Sequence, residues 1–451
     1  MSKKAIENIK SVILVVLFLT TILLLYLIWG DPSSGKLAIS DLIPSSRTET
    51  ERLSAKEVIY PSEVFYSSGD GAFVKAASRK EIFEHYNKIL KSCSSQGTVM
   101  VTEITKEQYT EALTNYQSVE MKFIFQIPFT EYCNLFEINR SSSFANIETI
   151  STLAVSAAAP DSFLIADESN WKYYRLVCET NEKIEIEKIE NPSDITLYSA
   201  RTILGAGTDS LFPLEANSKL REISYVKTPQ STEESRQEIS QKIFGDNFNF
   251  VRRIVDSSEN YTYMYGYGQK SLTIYASGGI TYKETVKNGD SAGLVGDLET
   301  AINFVQNLIG FGDSHSRVKY VLKWVDTNGS GKAANHVYHF KQETTDGFEI
   351  LYPEDALVIS VEKGQVAEFR GVGISSNYAQ WASVYKPAYN PANTIARAAQ
   401  NNENLEVFVE NMMSMEPALF PKDGQLIPVW ALHIHDLGAI HFDLYTGDFL
   451  E

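Results

Sequence analysis

The chain has 451 residues, of which 57 are acidic and 40 basic, for a formal net charge of −17. A hydrophobic share of 43% excludes disorder over most of it, and three cysteines in a chain of this length exclude a disulfide-scaffolded secreted module. The length suits two or three domains, and the acidic balance argues against nucleic acid as the main partner, because phosphate binding needs clustered Lys and Arg.

Residues 1–10 form a short tail with Lys3, Lys4 and Lys10 against Glu7, a net +2 that leaves −19 on the rest of the chain. Residues 11–30 carry no charge and are mostly Val, Leu, Ile and Phe. Twenty such residues in a helix span about 30 Å, the hydrocarbon thickness of a bilayer. Tyr26 and Trp29 stand where interfacial aromatics belong. The run is longer than a cleavable leader's apolar core and lacks a good cleavage site, so it predicts an uncleaved single-pass transmembrane helix. The positive-inside rule keeps the N-terminus in the cytoplasm and the rest outside, at the cell membrane.

Residues 31–47, rich in Pro, Ser and Gly, read as a tether. Residues 48–213 read as an N-terminal α+β domain. Ile82, Phe83, Tyr86, Ile89 and Leu90 fall at helix spacing over 79–92, and a second helix is predicted at 106–116. Strands are predicted at 98–104, 119–127, 163–166 and 173–178, with Pro128 closing the second. All three cysteines, Cys93, Cys133 and Cys178, lie here. Cys133 and Cys178 are a possible pair, but buried, inert thiols are the stronger expectation.

Residues 214–310 repeat a helix-plus-meander theme. Ser231–Thr232 and the acidic pair Glu233, Glu234 open a helix that stops at Gly245. Strands follow at 248–256, 261–266, 271–276 and 279–285. Tyr261, Tyr263, Tyr265 and Tyr267 alternate, which puts four rings on one strand face. That stripe suits a sugar or peptide platform, but a packed sheet face is the more common use. A helix at 298–309 leads into a C-terminal domain, 311–451, with strands at 317–326, 336–342, 348–351, 356–361 and 366–372. A helix at 391–399, the stretch 405–413 and strands at 426–435 and 440–445 end the chain. The fold class is therefore α+β: antiparallel meanders packed on helices outside the membrane, with no βαβ alternation.

Motifs for chemistry are few. Gly289-Asp-Ser291-Ala-Gly293 matches G-x-S-x-G, but no buried strand precedes the serine and no helix starts directly after it, so a polar loop is expected. His433 and His435 share a strand face, and one hairpin register would bring His441 beside them as a weak candidate metal site; the other would point it away. Ordinary histidines are the plainer reading. His336 and His339, three apart on a strand, face opposite ways. No catalytic residue and no cofactor is assigned.

The layout resembles a known family. A basic tail and one apolar helix precede a long extracytoplasmic part. Within it residues 247–284 read NFNFVRRIVDSSENYTYMYGYGQKSLTIYASGGITYKE, and the end carries Leu426-Ile-Pro-Val-Trp430 and Phe442-Asp-Leu-Tyr-Thr-Gly-Asp448. This resembles the YycH and YycI proteins, by length YycH more closely, and the closing motif is similar to PepSY-type modules. The resemblance implies a non-enzymatic regulator that contacts a YycG/WalK-type sensor histidine kinase and a YycI-like partner in the membrane, as a hetero- or homodimer. It supplies no catalytic residues. Residues 11–30 lack a small-xxx-small face, so such contacts would rest on Leu packing and on Thr20 and Thr21. The alternatives are an anchored cell-envelope enzyme or binding protein acting on wall polymer or peptide, and a PepSY-like protease-binding segment.

Overall fold

The computed structural model describes residues 52–450 except 77, 97–98, 141, 180–183, 187–191, 200–210, 217–222, 225–231, 310–317, 345–346, 373–379, 382–387, 401–410, 424 and 436–437. The predicted tail, transmembrane helix and tether lie outside the described residues. Among the described residues no helix is long and apolar enough to cross a membrane.

Nine strands make the first sheet: β1 (Glu63–Ser68), β2 (Ala72–Ala76), β3 (Val99–Ile104), β4 (Gln117–Pro128), β5 (Thr149–Ser156), β6 (Ser162–Asp167), β7 (Lys172–Cys178), β8 (Pro192–Ser199) and β9 (Leu211–Ala216). They lie in the order β3-β7-β6-β5-β4-β1-β2-β8-β9. Three helices cover them: α1 (Arg79–Gln96), α2 (Lys106–Thr114) and α3 (Phe129–Phe136). Helix α1 buries Phe83, Tyr86 and Leu90 in the same cluster as Leu153, Val155, Phe163 and Ile165. On the opposite sheet face, Tyr109 and Leu113 of α2 pack on Ala154, Leu164 and Ala166. Strands β5 and β6 are thus covered on both sides, which is why they are buried at nearly every position rather than at alternate ones. Helix α2 starts at a capping box, with Thr105 accepting from the Gln108 amide and the Gln108 side chain accepting from the Thr105 amide.

The second sheet has fifteen strands. It begins with β10 (Ile223–Ser224), then β11 (Arg252–Val255), β12 (Tyr261–Tyr265), β13 (Lys270–Ile274) and β14 (Ile280–Glu284). Next come β15 (Val318–Asn328), β16 (Asn335–Thr344), β17 (Glu349–Ile350), β18 (Leu357–Glu362), β19 (Gln365–Gly371) and β20 (Gln380–Trp381). It closes with β21 (Met412–Lys422), β22 (Gln425–Ile434), β23 (Gly438–Asp443) and β24 (Phe449–Leu450). Strand β14 pairs with β19, so one sheet holds strands from both 214–310 and 311–451. Helices α4 (Glu233–Phe244) and α5 (Gly293–Leu308) pack on it, while α6 (Pro391–Gln400) buries Ile395 and Ala398 in a cluster shared with Phe212 of β9 and Trp430 and Leu432 of β22. Leu298, Ile302 and Val305 of α5 meet Tyr338, Ile359 and Phe369 in a buried cluster that also contains Phe83 and Tyr132 from the first half.

Three local differences from the sequence-based expectation have physical reasons. Helix α5 starts at Gly293, five residues before the expected 298, because its cap comes from a distant residue, Glu131, described below. Residues Gly245–Phe250 form a 3-10 turn, leaving only Arg252–Val255 as strand. Strand β21 contains Pro417 and Pro421, residues that argue against a central strand. They are tolerated because β21 pairs along its length with β22 but meets β17 only at Leu419.

Candidate functional site

The hairpin histidines adopt neither of the two expected registers. Ala431 faces His441, His433 faces Ala439, and Ile434 faces Gly438. His433 and His441 therefore share a sheet face on a diagonal, while His435 leaves the strand at the turn and is exposed. The His441 ring packs 4.8 Å from Phe420, and its buried Nε2 has no hydrogen-bond partner among the described residues. Burial, with the nearby His433, lowers the His441 pKa. Among the described residues no group of three or more His, Cys, Asp or Glu is placed to hold a metal ion.

Gly289–Ala292 of the G-x-S-x-G segment is a loop, as expected, but contrary to expectation helix α5 begins at once, at Gly293; no strand leads directly into the serine, because β14 ends at Glu284. Ser291 Oγ donates to Asp297 Oδ2 at 2.7 Å, and the Ala292 amide donates to Asp297 Oδ1 at 3.0 Å. His336 Nδ1 lies 2.8 Å from the same Asp297 Oδ2. The aspartate thus sits between serine and histidine. A nucleophile needs the imidazole next to the hydroxyl; here the hydroxyl proton is committed to a carboxylate. Burial works to raise the Asp297 pKa, but the bonds from His336, Ser291 and Ala292 outweigh it and lower the value. The three residues fasten the loop to α5 and β16. His339 faces the other way, with Nδ1 2.8 Å from Asp355 Oδ2.

The tyrosine stripe divides. Tyr263 is buried, and Tyr261 lies under the Arg236 guanidinium at 4.0 Å, so this face is packed beneath α4. Tyr267 is not in the strand; it lies in a short 3-10 turn and is fully exposed.

The cysteines overturn the expectation of unpaired thiols and of a Cys133–Cys178 pair. Cys93 and Cys178 form a disulfide, with Cα atoms 5.6 Å apart, and Cys133 is the free, buried thiol. The reason is topological. Strand β3 follows α1 after a short connection and pairs Val99 with Cys178, which brings the end of α1 beside the end of β7. Burial pushes the Cys133 thiol up to about 12, so it is inert at neutral pH.

The most elaborate polar arrangement joins the two halves. Arg79, at the start of α1, donates to the Ser62 carbonyl and to Glu343 of β16; the Arg79 and Glu343 side chains are 7% and 2% exposed. Lys341 bridges Glu343 at 3.2 Å and Glu349 at 2.8 Å. Lys75 of β2 bridges Glu63 at 2.9 Å and Glu416 of β21 at 3.2 Å. The Tyr60 ring takes Arg79 on one side at 5.8 Å and Lys319 at 5.7 Å. Burial raises the Glu416 pKa, but Lys75 and then Lys341 outweigh it and hold the group down at about 2. The cations and carboxylates match in number, so this ionic seam fixes the two sheets in one relative register. No sequence pattern marks it. Lys341 and Glu343 alternate as on any solvated strand, and the ion pairs between the sheets join residues far apart in the chain: Arg79 to Glu343 is 264 positions and Lys75 to Glu416 is 341.

Fold and seam together define a two-sheet α+β protein whose halves are locked by buried ions. Residues 7–189 match the family described as YycH protein, N-terminal domain. Among solved structures, the crystal structure of YycH from Bacillus subtilis is similar with a TM-score of 0.56 at 13% identity, over 86% of this chain and 97% of that one. No curated protein sequence matches. Residues 7–189 are thus similar to the N-terminal domain of the YycH family, and the structural likeness shows a shared fold that extends into the C-terminal half.

Proposed function

We propose that this protein is a membrane-anchored, extracytoplasmic regulator of a two-component sensor histidine kinase, acting through transmembrane and ectodomain contacts and without catalysis of its own. The observation that carries this reading is the match to the YycH N-terminal domain, which begins at residue 7 and so takes in the apolar segment 11–30. The Cys93–Cys178 disulfide supports an extracytoplasmic location, because such bonds persist in oxidising compartments. A helix at 11–30 packed beside the kinase's own helices, with a YycI-like protein as third member, would shift the kinase between signalling states by differential contact. The Ser291–Asp297–His336 order favours no hydrolase.

The test is to replace residues 11–30 with an unrelated apolar helix and read phosphorylation of the cognate response regulator. Altered output with normal protein level is expected. Unchanged output in the chimera refutes the helix-contact mechanism; unchanged output on deleting the whole protein refutes the regulatory role.

A further inference from the structure

We propose that a polar cavity beside the β12–β13 turn binds an acidic saccharide. The cavity has a volume of about 400 Å³ and lies among the end of α4, the β12–β13 turn, the end of β14 and the start of β19. It is separate from the ionic seam and from the histidine hairpin.

Its walls combine rings with amides. Phe244 and Tyr265 supply aromatic surface, and Asn247, Gln269 and Asn288 supply side-chain amides. The three amides are exposed and engage no other described side chain. Amides of this kind pair with vicinal hydroxyls as donor and acceptor at once. A lining this polar suits a hydroxyl-rich ligand better than a lipid tail or an apolar peptide, which need hydrophobic walls. The floor is ordered beforehand: Lys363 Nζ donates to the Lys287 carbonyl at 3.2 Å, and Gln365 Nε2 donates to the Asn288 carbonyl at 2.9 Å.

Charge adds the second element. Lys270 and Lys287 line the cavity against one carboxylate, Glu284, leaving a positive balance in a chain of net −17. Glu284 is engaged by Lys270 at 3.5 Å and by the Tyr282 hydroxyl. The Lys287 ammonium has no carboxylate partner among the described residues, so it is available to an acidic group.

Tyr267 adds the third. It has φ +56° between Gly266 at +60° and Gly268 at +89°. Glycine adopts this conformation freely, but a bulky residue does so only under constraint. Such strain concentrates where a side chain is needed. Tyr267 lies in the chain between two lining residues, Tyr265 and Gln269, and its ring is wholly exposed. Tyr267 itself does not line the cavity, but an exposed ring on the turn that contributes Tyr265 and Gln269 to it offers a face on which the C–H side of a sugar projecting from the cavity can stack.

The test is calorimetric titration of the full chain in detergent with three probes. These are a hyaluronan tetrasaccharide, neutral chitotetraose, and tetraglutamate, which carries charge without sugar. Saturable binding of the hyaluronan fragment is expected, with chitotetraose at least about fivefold weaker and tetraglutamate silent. Tyr267→Gly keeps the backbone conformation, and Lys287→Met changes an exposed side chain. Each should weaken binding by about fivefold or more with an unchanged melting temperature. Equal binding of tetraglutamate, no saturation by the hyaluronan fragment at about 10 mM, or full binding by the double variant overturns the proposal.

Discussion

Glu131 caps a helix that begins 162 residues after it. Its carboxylate accepts the Val295 amide at 2.8 Å and the Leu294 amide at 3.3 Å, so the exposed N–H groups at the start of α5 are satisfied from the first half of the chain. The same helix takes the Leu53 amide on Asn303 Oδ1 and the Ala55 amide on Glu299. Glu131→Ala should lower stability by about 1–2 kcal/mol in a denaturant titration while the unfolding stays one transition. A change of zero would show that solvent caps the helix as well as Glu131 does.

The Arg79–Glu343 pair is buried on both sides. Arg79→Met leaves the buried Glu343 carboxylate with Lys341 as its remaining cation and should cost about 3 kcal/mol. The double variant Arg79→Met/Glu343→Leu removes both charges and should recover most of that loss. A double-mutant cycle by urea denaturation measures it; additive losses would show that the pair is not coupled.

Glu416 gives the seam a pH dependence. Its carboxyl is held at about 2, below the usual 4.5. A carboxylate with a depressed folded-state pKa stabilises the fold above its unfolded value and loses that contribution as the pH falls through the folded one. The window here is from pH 4.5 down to about 2. Urea midpoints measured from pH 7 to pH 3 should fall less steeply in Glu416→Gln than in the parent. Parallel curves would remove Glu416 from the acid response.

The disulfide closes a loop across 85 positions. Cys93→Ser should cost about 2–5 kcal/mol. Peptide mapping without reduction should return the Cys93–Cys178 pair, and Cys133 should resist alkylation until the protein is unfolded. Rapid labelling of all three cysteines in the native state would refute the assignment.

Much of the fold was legible in the sequence. Helices over Arg79–Gln96 and Glu233–Phe244 and the meander from Tyr261 to Glu284 carry their periodicity and caps locally. Elements that depend on distant residues did not show. Strand β5 lacks alternation because both faces are covered, and β21 hides behind its prolines. The start of α5 is set by Glu131. The disulfide depends on β3 meeting β7, a pairing that spacing alone does not give. The histidines were visible as residues, but the three-residue difference in hairpin register from the closest expectation was not, because alternation along a strand does not decide the length of the turn. The ionic seam is the least legible of all, since each of its carboxylates looks like a surface group until the second sheet is laid against it.

The cap at Glu131 also limits how this protein can be divided or inherited. A fragment beginning after residue 213 would carry α5 without its capping carboxylate, and Asn303 and Glu299 without the backbone they hold. Chimeras that exchange one half for that of a relative would have to exchange a matching residue at position 131 as well. The start of α5 is thus a junction built by both halves, and a substitution there acts on the distant glutamate as well as on its own helix.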